Sequence, residues 1–596
     1  MPPHAAVGGE RDAVCTSIGD EDIACIFAEP GLFQQSLLVY GMLATMTVGM
    51  HNQAHVLIAP KLNHWCAPGE DVGNMTVEEW KAANIPQTDD GDYKECEMYD
   101  GPLSERRHNR SIVRCKSWQY INESGHGGTI TEEWNLVCYD SWLWTASVVM
   151  FHIGSAIGFI IAGVFLDRIG RKPVIRASVL AAVVSGFAMT SATTVHVFIC
   201  LRFLLGAGVS AHALSSYVLL MEVIPTDWQG ICGVLLSAAF GTGFLVVNVL
   251  GQYRLSWRLL QLTIAVLSST LLTGFIFVQE SPRWLISRCG FDEADKVVKS
   301  MAQLNGRNKN KVLGVWLTLR LELEKGVCKA RGISQSEALK LILSTPLMYR
   351  NLIASYAWLT ISMVTSSVNR NFESIYTLLV STAVTAYISK FFAFVGIEKF
   401  GRRSTLSLTL LFMSVSAVGY TLFGKENETQ RVVFLSLALF FTGVGDAVIV
   451  LYVTELNPIS LRVMGLCFGS LLGRLGNVFG NLSSDLVRAT SAEVPWVLFT
   501  MTCSVAGLLV TLLPETRSSR FTKVTIGDDF FHIAPLCTKK ASAKERRKEI
   551  LRASRKARAL ESDDSKLVIT GRSLVALVGK PESKPQREPF YAGSSL

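Results

Sequence analysis

The chain has 596 residues, of which 49% are hydrophobic and 18% are charged, and its formal net charge is +8 at pH 7. Its mean hydropathy of +0.32 is too high for a soluble protein of this length. Composition therefore excludes a soluble globular protein and favours a chain with many membrane-spanning segments.

Stretches of about 20 apolar residues, each long enough to cross roughly 30 Å of hydrocarbon, recur along the chain. They are apolar all round rather than in alternation, which predicts membrane-spanning helices and not the strands of a barrel. The expected fold class is therefore an all-α membrane protein. The twelve predicted spans are residues 35–58, 142–166, 173–195, 197–223, 230–252, 257–278, 351–368, 374–397, 404–423, 431–454, 463–486 and 494–513.

The loop between the first two spans, residues 59–141, is expected to lie outside the cell. It holds four cysteines, an even number that suits two disulfides in an oxidising compartment, with three pairings open. It also holds three Asn-x-Ser/Thr glycosylation acceptors, and a fourth lies in a later outside loop. The candidate disulfide residues are Cys66, Cys96, Cys115 and Cys138, and the candidate glycosylation sites are Asn74, Asn109, Asn122 and Asn427.

Two short basic segments set the orientation and show an internal repeat. "DRIGRKP" (167–173) and "EKFGRRS" (398–404) are rich in lysine and arginine, which predicts that they and both termini face the cytoplasm. "ESPRWL" (280–285) closes the sixth span as "PETR" (514–517) closes the twelfth, so we expect two six-helix halves of one design. The predicted order is a cytoplasmic N-terminus (1–34), a first half (35–278), a cytoplasmic linker (279–350), a second half (351–513) and a basic cytoplasmic tail (514–596).

Each basic loop combines an acid, a glycine and arginines. Gly170 and Gly401 allow a tight turn between helices, and the acids can cap or pair with basic residues on the cytoplasmic face. Such clusters can hold one state of a rocking protein and release in the other, although loops that only orient the chain would also be basic. The residues expected to act in this way are Asp167, Arg168, Gly170, Arg171, Glu280, Arg283, Glu398, Gly401, Arg402, Glu455 and Arg462.

These loops resemble those of the major facilitator superfamily. Within it, the chain resembles the organic cation, anion and zwitterion transporter family along nearly its whole length. The matching segments include "GLFQQ" (31–35), "TITEEWNLVC" (129–138), "RFLLGAG" (202–208) and "YVTELNPISLR" (452–462). The resemblance implies a twelve-helix bundle with a central cavity between two halves, which opens alternately to each side.

Two cations lie inside predicted spans, Arg474 in "GSLLGRLGNVFG" (469–480) and Lys390 in "AYISKFFAF" (386–394). A charge at mid-membrane costs at least about 2.5–3.5 kcal/mol, so each cation must face a cavity or a partner. The organic anion branch of the family resembles this sequence at both positions. An arginine can bind a carboxylate through two bonds and a lysine adds a point charge, so the pair favours an organic anion. The alternative is that both cations satisfy internal acids or helix ends.

Asp446, in "FFTGVGDAVIVLY" (440–452), is a third charge within a span, where the anion branch has an aromatic residue. Three roles are open for it: pairing with Lys390 or Arg474, holding the cationic end of a zwitterion, or titrating in proton coupling. Two uncharged residues complete the predicted substrate site, Asn52 in the first span and Phe240 in the fifth. Both resemble positions of the anion branch, although a bridge between helices for the asparagine and ordinary packing for the phenylalanine are alternatives.

The expected function is transport of small organic ions across the plasma membrane, with organic anions favoured, by exchange or facilitated movement. The alternatives are a cation or carnitine-like zwitterion transporter and a transport-silent receptor or scaffold. The sequence has no phosphate-cradling Gly-x-x-x-x-Gly-Lys-Ser/Thr loop, no His/Cys cluster with metal spacing and no nucleophile with its base. We therefore expect no enzymatic activity, no cofactor and no metal.

Expected partners are the substrate, a counter-anion or coupling ion, and the lipid bilayer. The basic run at 539–560 would be attracted to an anionic inner leaflet, and nucleic-acid binding is not expected of a chain held in a membrane. The last residues, Ser594-Ser595-Leu596, would suit a PDZ domain, which adds a peptide strand to its sheet.

Overall fold

In the computed structural model, described helices lie at the positions of all twelve predicted spans, and a 3₁₀ turn at Thr270–Thr273 interrupts the sixth. Within the described residues, nine helices are long and apolar enough to cross a membrane. In chain order the helices are α1 (Leu32–Ile58), α2 (Val77–Asn84), α3 (Ile130–Glu133), α4 (Ser141–Ile169), α5 (Arg171–Thr190), α6 (Val195–Val223), α7 (Thr226–Gly251), α8 (Trp257–Ser269), α9 (Gly274–Phe277), α10 (Pro282–Ser287), α11 (Phe291–Leu304), α12 (Thr345–Arg370), α13 (Ile375–Lys399), α14 (Arg402–Phe423), α15 (Glu428–Leu456), α16 (Arg462–Ala489) and α17 (Val494–Val510).

The structure describes most of the membrane part and parts of the loops. The described ranges are 30–60, 62–68, 76–87, 93–100, 111–121, 128–306, 316–317, 320, 345–372, 375–424, 427–457, 461–489 and 493–516. Three predicted glycosylation sites, Asn74, Asn109 and Asn122, lie outside these ranges, as do the basic run at 539–560 and the last three residues.

Small residues allow the helices of each half to pack closely. In the first half, Gly154 and Gly158 of α4 lie against the backbone of α6. In the second half, Gly476 and Gly480 of α16 lie against the backbone of α12. Close backbone approach at small residues four apart is a common way for membrane helices to associate, and both halves use it.

A small domain, here called the loop domain, follows α1. Strand β1 (Asn63–Cys66) pairs antiparallel with β4 (Trp118–Ile121), and β2 (Glu97–Tyr99) pairs with β3 (Ile112–Arg114). Disulfides join Cys66 to Cys115 and Cys96 to Cys138, which selects one of the three pairings left open by the sequence. Because Cys138 begins the short 3₁₀ turn that leads into α4, the second bridge ties the loop domain to the first half.

The segment before α4 provides a second attachment. Thr129 and Glu132 form a reciprocal cap on α3: the Glu132 carboxylate accepts from the Thr129 N–H at 2.8 Å, and the Thr129 hydroxyl accepts from the Glu132 N–H at 3.2 Å. The next residue, Glu133, accepts hydrogen bonds from Arg258 and, at 2.8 Å, from the indole N–H of Trp257, both on α8. The hydrogen bond from Arg258 lowers the pKa of the Glu133 carboxyl, with a further contribution from Trp257.

Both basic loops turn at a glycine with positive φ. Gly170 joins α4 to α5 with φ of 98°, and Gly401 joins α13 to α14 with φ of 91°. A side chain is strained in this region of backbone space, so the prediction of two glycine turns is confirmed.

Candidate functional site

A cavity of about 270 Å³ lies between the two halves. Four helices of each half line it: α1, α4, α6 and α7 of the first, and α12, α13, α15 and α16 of the second. All five residues predicted to bind substrate border this cavity, although they come from five different helices: Asn52, Phe240, Lys390, Asp446 and Arg474. The structure thus brings them together, and their role in binding stays a prediction.

Arg474 connects the two halves across the cavity. It lies on α16, and its guanidinium carbon is 5.5 Å from the ring centroid of Phe159 on α4, a cation–π distance. Within the part of the chain that the structure describes, Arg474 makes no ion pair within 4.0 Å. This guanidinium is half-buried, rests on an aromatic face and borders the cavity, and its N–H donors have no hydrogen-bond partner among the described residues.

Lys390 is the second cation, and the protein already uses part of its hydrogen-bonding capacity. It lies on α13, is buried, and donates from Nζ to the carbonyl oxygen of Gly443 on α15 at 2.5 Å. An ammonium has three donors, and among the described residues this is the one hydrogen bond that Lys390 donates. Lys390 therefore supplies positive charge to the cavity but is more firmly held than Arg474.

Asp446 lies three residues after Gly443 on α15. It interacts electrostatically with Lys390 and Arg474, yet among the described residues it forms no ion pair with either within 4.0 Å. Its half-buried side chain borders the cavity and offsets part of the positive charge from a distance. The cavity thus combines two cations and one acid.

Aromatic rings form the apolar walls. The rings of Phe240 and Phe244 on α7 are 4.9 Å apart, and Trp358 of α12 packs against Gly469 and Gly473 of α16. The sequence prediction included Phe240 and missed Phe159 and Trp358. The two glycines four residues apart on α16 were a signal for a large neighbour such as Trp358, whereas Phe159 lies in an apolar run and gives no such signal.

Contacts between the halves lie on both sides of the cavity. On the side of the loop domain, Asn248 of α7 donates to the carbonyl of Leu379 at 3.1 Å and to the hydroxyl of Thr382 at 3.3 Å, both on α13. On the side of the basic loops, the hydroxyls of Tyr217 and Thr454 are 3.4 Å apart. We call these sides the loop-domain end and the basic-loop end.

At the basic-loop end, the first half carries a cluster of Asp167, Arg171, Glu222 and Glu280, here called the N-terminal charge cluster. Arg171 donates to Glu222 through Nε at 3.0 Å and through Nη2 at 2.5 Å, and Asp167 lies 3.6 Å from Nη2. Glu280 accepts the backbone N–H of Arg171 at 2.7 Å. These bonds join the loop, the end of α6 and the segment after α9.

The second half repeats this arrangement in Arg402, Glu455, Glu515 and Thr516, the C-terminal charge cluster. Arg402 lies 3.1 Å (Nε) and 3.2 Å (Nη2) from the two Glu455 oxygens, and Glu515 accepts the backbone N–H of Arg402 at 2.8 Å. Thr516 donates its hydroxyl to Glu455 at 2.5 Å. In both halves, therefore, an arginine of the basic loop pairs with a glutamate near the end of a helix, and a second glutamate accepts the backbone N–H of that arginine.

Two acids of these clusters were missed as site residues, and repeats in the sequence could have found both. Glu222 precedes Pro225 by three residues, as Glu455 precedes Pro458. Glu515 stands in "PETR" where Glu280 stands in "ESPR".

The other residues of the predicted gating set occupy different surroundings. Arg462 interacts electrostatically with Arg283 and with acids of both halves, Glu222 and Glu455. It therefore lies where the two halves meet at the basic-loop end. Arg168 and Glu398 are exposed.

The sequence pattern of a family described as "Sugar (and other) transporter" matches residues 104–526. The chain belongs to this family. The match covers spans of both halves, and it agrees with the internal repeat and with the cavity between the halves.

Individual relatives of this transporter are about one-quarter identical to it. Solute carrier family 22 member 7 of Rattus norvegicus is 25% identical over 523 residues, which are 84% of this chain and 97% of the relative. A beta-alanine transporter of Drosophila melanogaster is 24% identical over 82% of this chain and 85% of its own length. Organic anion transporter 3 of Homo sapiens is 25% identical over 80% of this chain and 87% of its own length.

Among solved structures, the major facilitator proton:xylose symporter XylE superposes on the transporter with a TM-score of 0.56. At 15% identity the superposition covers 81% of this chain and 96% of the symporter. It shows the fold, and the predicted twelve-helix major facilitator fold is confirmed. The chain is a multi-pass membrane transporter, and the family and relatives that it matches are transporters rather than enzymes.

Asn427 is the one predicted glycosylation site within the described residues. It directly precedes α15 as its N-terminal flanking residue. Glycosylation of Asn427 remains a prediction.

Proposed function

We propose that this transporter carries small amphiphilic organic anions across the plasma membrane by alternating access, with both termini in the cytoplasm. The observation that supports this most directly is the Arg474 guanidinium, which borders the cavity without an ion pair in the described part of the chain. The similarity to organic anion transporter 3 agrees with an anionic substrate.

In this proposal a carboxylate accepts two parallel hydrogen bonds from Arg474, whose other face rests on Phe159. Lys390, which also borders the cavity, contributes a second positive charge. The apolar body of the substrate lies against Phe240 and Trp358. Apolar walls with a few fixed polar groups are typical of sites for small amphiphilic molecules.

The transport cycle in this proposal is a rocking of the two halves about the cavity. Contacts at the loop-domain end and at the basic-loop end alternately break and form, so the cavity meets one side at a time. The two charge clusters stabilise the state in which the basic-loop end is closed. The movement is an exchange against a counter-anion or facilitated transport, with a coupling ion as the alternative partner.

A zwitterion is the second candidate substrate, and Asp446 is the observation that favours it. Its carboxylate borders the same cavity and makes no ion pair within 4.0 Å among the described residues. A substrate with a carboxylate at Arg474 and an ammonium at Asp446 would satisfy both. The relative named beta-alanine transporter agrees with this candidate.

Competitive uptake tests the two candidates. Cells expressing the wild type, Arg474→Ala or Asp446→Ala receive a radiolabelled aryl carboxylate, a β-amino acid or a quaternary ammonium, and surface biotinylation corrects for the amount of protein. Phe391→Ala is the matched control, because this ring adjoins Lys390 in sequence but is 64% exposed and does not border the cavity.

We expect aryl carboxylate uptake that is lost in Arg474→Ala and kept in Asp446→Ala and Phe391→Ala. β-Amino acid uptake that needs both Arg474 and Asp446 would establish the zwitterion instead. Quaternary ammonium uptake that is lost in Asp446→Ala alone would refute an anionic substrate. Binding of the tail to an anionic leaflet or a PDZ domain stays a separate prediction outside the described residues.

A further inference from the structure

The two charge clusters have the same number of members but not the same kinds. In the N-terminal charge cluster, the acid of the basic loop, Asp167, takes part at 3.6 Å from Arg171. Its counterpart in the repeat, Glu398, is exposed, and among the described residues it makes no ion pair with Arg402 within 4.0 Å. Asp167 and Glu398 therefore occupy equivalent positions in the sequence repeat but do not make equivalent ion pairs.

The C-terminal charge cluster has a hydroxyl in addition to its charges. The Thr516 hydroxyl donates to Oε2 of Glu455 at 2.5 Å, while Arg402 lies 3.1 Å from the same oxygen. In the first cluster one arginine is shared by two carboxylates, whereas in the second one carboxylate is shared by two donors. A hydrogen bond to an ionised carboxylate is stronger than one between neutral groups.

The backbone around Thr516 is held in a way that brings its side chain to Glu455. Glu515 accepts the backbone N–H groups of Arg402 and Arg403 at 2.8 and 3.1 Å, and the hydroxyl of Tyr452 donates to the carbonyl of Pro514 at 2.6 Å. The two residues that precede Thr516 are thus hydrogen-bonded to α14 and α15. The Thr516 hydroxyl then holds one oxygen of Glu455 beside Arg402.

We propose that Thr516 is a positioning residue of the C-terminal charge cluster, in the place that Asp167 holds in the N-terminal charge cluster, and that Glu398 has no such role. The proposal rests on the proposed alternating-access cycle, in which the clusters stabilise closure at the basic-loop end. Removal of the Thr516 hydroxyl weakens that closure, because the Glu455 carboxylate loses one of its two donors.

Four variants separate a hydroxyl effect from an effect of shape or of loop charge: Thr516→Val, Thr516→Ser, Glu398→Gln and Asp167→Asn. Valine matches threonine in shape without the hydroxyl, and serine keeps the hydroxyl. The first readout is the maximal rate and KM of uptake, corrected for surface protein. The second readout is the alkylation rate of Cys467 by a maleimide, measured by mass spectrometry of its peptide.

Cys467 reports on the basic-loop end because it lies on α16 against Gly163 of α4, where the two halves meet. We expect a maleimide to alkylate Cys467 about tenfold faster in Thr516→Val than in the wild type, the effect of losing one hydrogen bond to a charged group. In Asp167→Asn, which loses the ion pair with Arg171 at 3.6 Å, we also expect faster alkylation of Cys467 than in the wild type. Their maximal uptake rates fall while KM stays within about twofold. Thr516→Ser and Glu398→Gln behave as the wild type.

Two results would overturn the proposal. One is an alkylation rate of Cys467 in Thr516→Val equal to that of the wild type, whether or not Glu398→Gln raises the rate as Asp167→Asn does. The other is a Thr516→Ser variant as impaired as Thr516→Val, since the hydroxyl would then not be what matters. Alkylation needs no substrate, so absence of uptake by the wild type would contradict the proposed function and still leave this inference tested.

Discussion

The charged side chains of the central cavity and those of the two charge clusters have opposite surroundings. Arg171 is 5% exposed and donates to both oxygens of Glu222, and Glu455 receives Arg402 and Thr516. Arg474 and Asp446 border the central cavity and, within the described residues, make no ion pair within 4.0 Å. The charges of the two clusters are paired by the protein itself, whereas the cavity charges that we propose to bind substrate have no ion pair within 4.0 Å among the described residues.

The largest expected effect is the loss of a cavity charge. We expect Arg474→Ala to lower the efficiency of organic anion uptake (maximal rate over KM) at least about 30-fold, since truncating one member of a desolvated charge pair costs roughly 2 kcal/mol or more. Lys390→Ala should cost less, because its ammonium already donates to Gly443. Initial uptake rates over a range of substrate concentrations measure both. Equal losses of uptake efficiency in the two variants, or a loss below about threefold in Arg474→Ala, would show that the hydrogen bond from Lys390 to Gly443 does not distinguish the two cations.

A cluster charge should affect a different kinetic constant. Arg171→Gln leaves Glu222 without its ion-pair partner, so we expect the maximal rate to fall roughly tenfold while KM changes little. Arg402→Gln, its counterpart in the repeat, should behave in the same way. Uptake kinetics and surface protein are measured together. A change in KM alone would show that Arg171 affects substrate binding, as the cavity residues are expected to do. The charge clusters and the cavity would then not differ in function.

The same difference explains which residues could be predicted from the sequence. Spans were predictable because the thickness of the hydrocarbon sets the length of an apolar run. Arg474, Lys390 and Asp446 were predictable as site residues because a charge inside such a run needs a reason. Glu222 lies at a helix end, where an acid is ordinary, so in the sequence only its spacing to Pro225 marks it, and the structure shows its pairing with Arg171.

Other features depend on three-dimensional proximity that local sequence does not carry. Four cysteines allow three pairings, and the three-dimensional structure of the loop domain joins Cys66 to Cys115. Phe159 is one apolar residue among many in α4, and it matters because α16 brings Arg474 to its ring. Thr516 was passed over because a threonine next to a membrane helix is commonplace.

A cavity acid should change selectivity rather than turnover. For Asp446→Asn we expect an aryl carboxylate to bind at least about threefold more tightly, because a negative charge is removed from a cavity of low dielectric. Uptake of a β-amino acid, if the wild type shows any, should disappear. Competition of both substrates against one labelled anion measures the shift. Lower affinity for the carboxylate would mean that Asp446 orients Arg474 instead of opposing its ligand.

The smallest effect is expected at the attachment of the loop domain, where Glu133 meets Arg258 on a surface: the two side chains are 34% and 42% exposed. Solvent screens such a pair, so Glu133→Gln should lower stability by no more than about 1 kcal/mol, or about 2 °C in Tm. Because the folded state lowers the pKa of Glu133 from 4.5, its contribution is fully present above pH 4.5.

That contribution should disappear as the pH falls below 4.5 through the folded-state pKa, since the protonated carboxyl no longer pairs with Arg258. Thermal unfolding of detergent-purified wild type and Glu133→Gln at several pH values measures it as the difference in Tm. The difference should be constant above pH 4.5, vanish in more acidic buffer and shrink in high salt. A difference that grows with acidity would show that Glu133 matters as a neutral hydrogen-bonding group, like the Thr516 hydroxyl, and not as a charge.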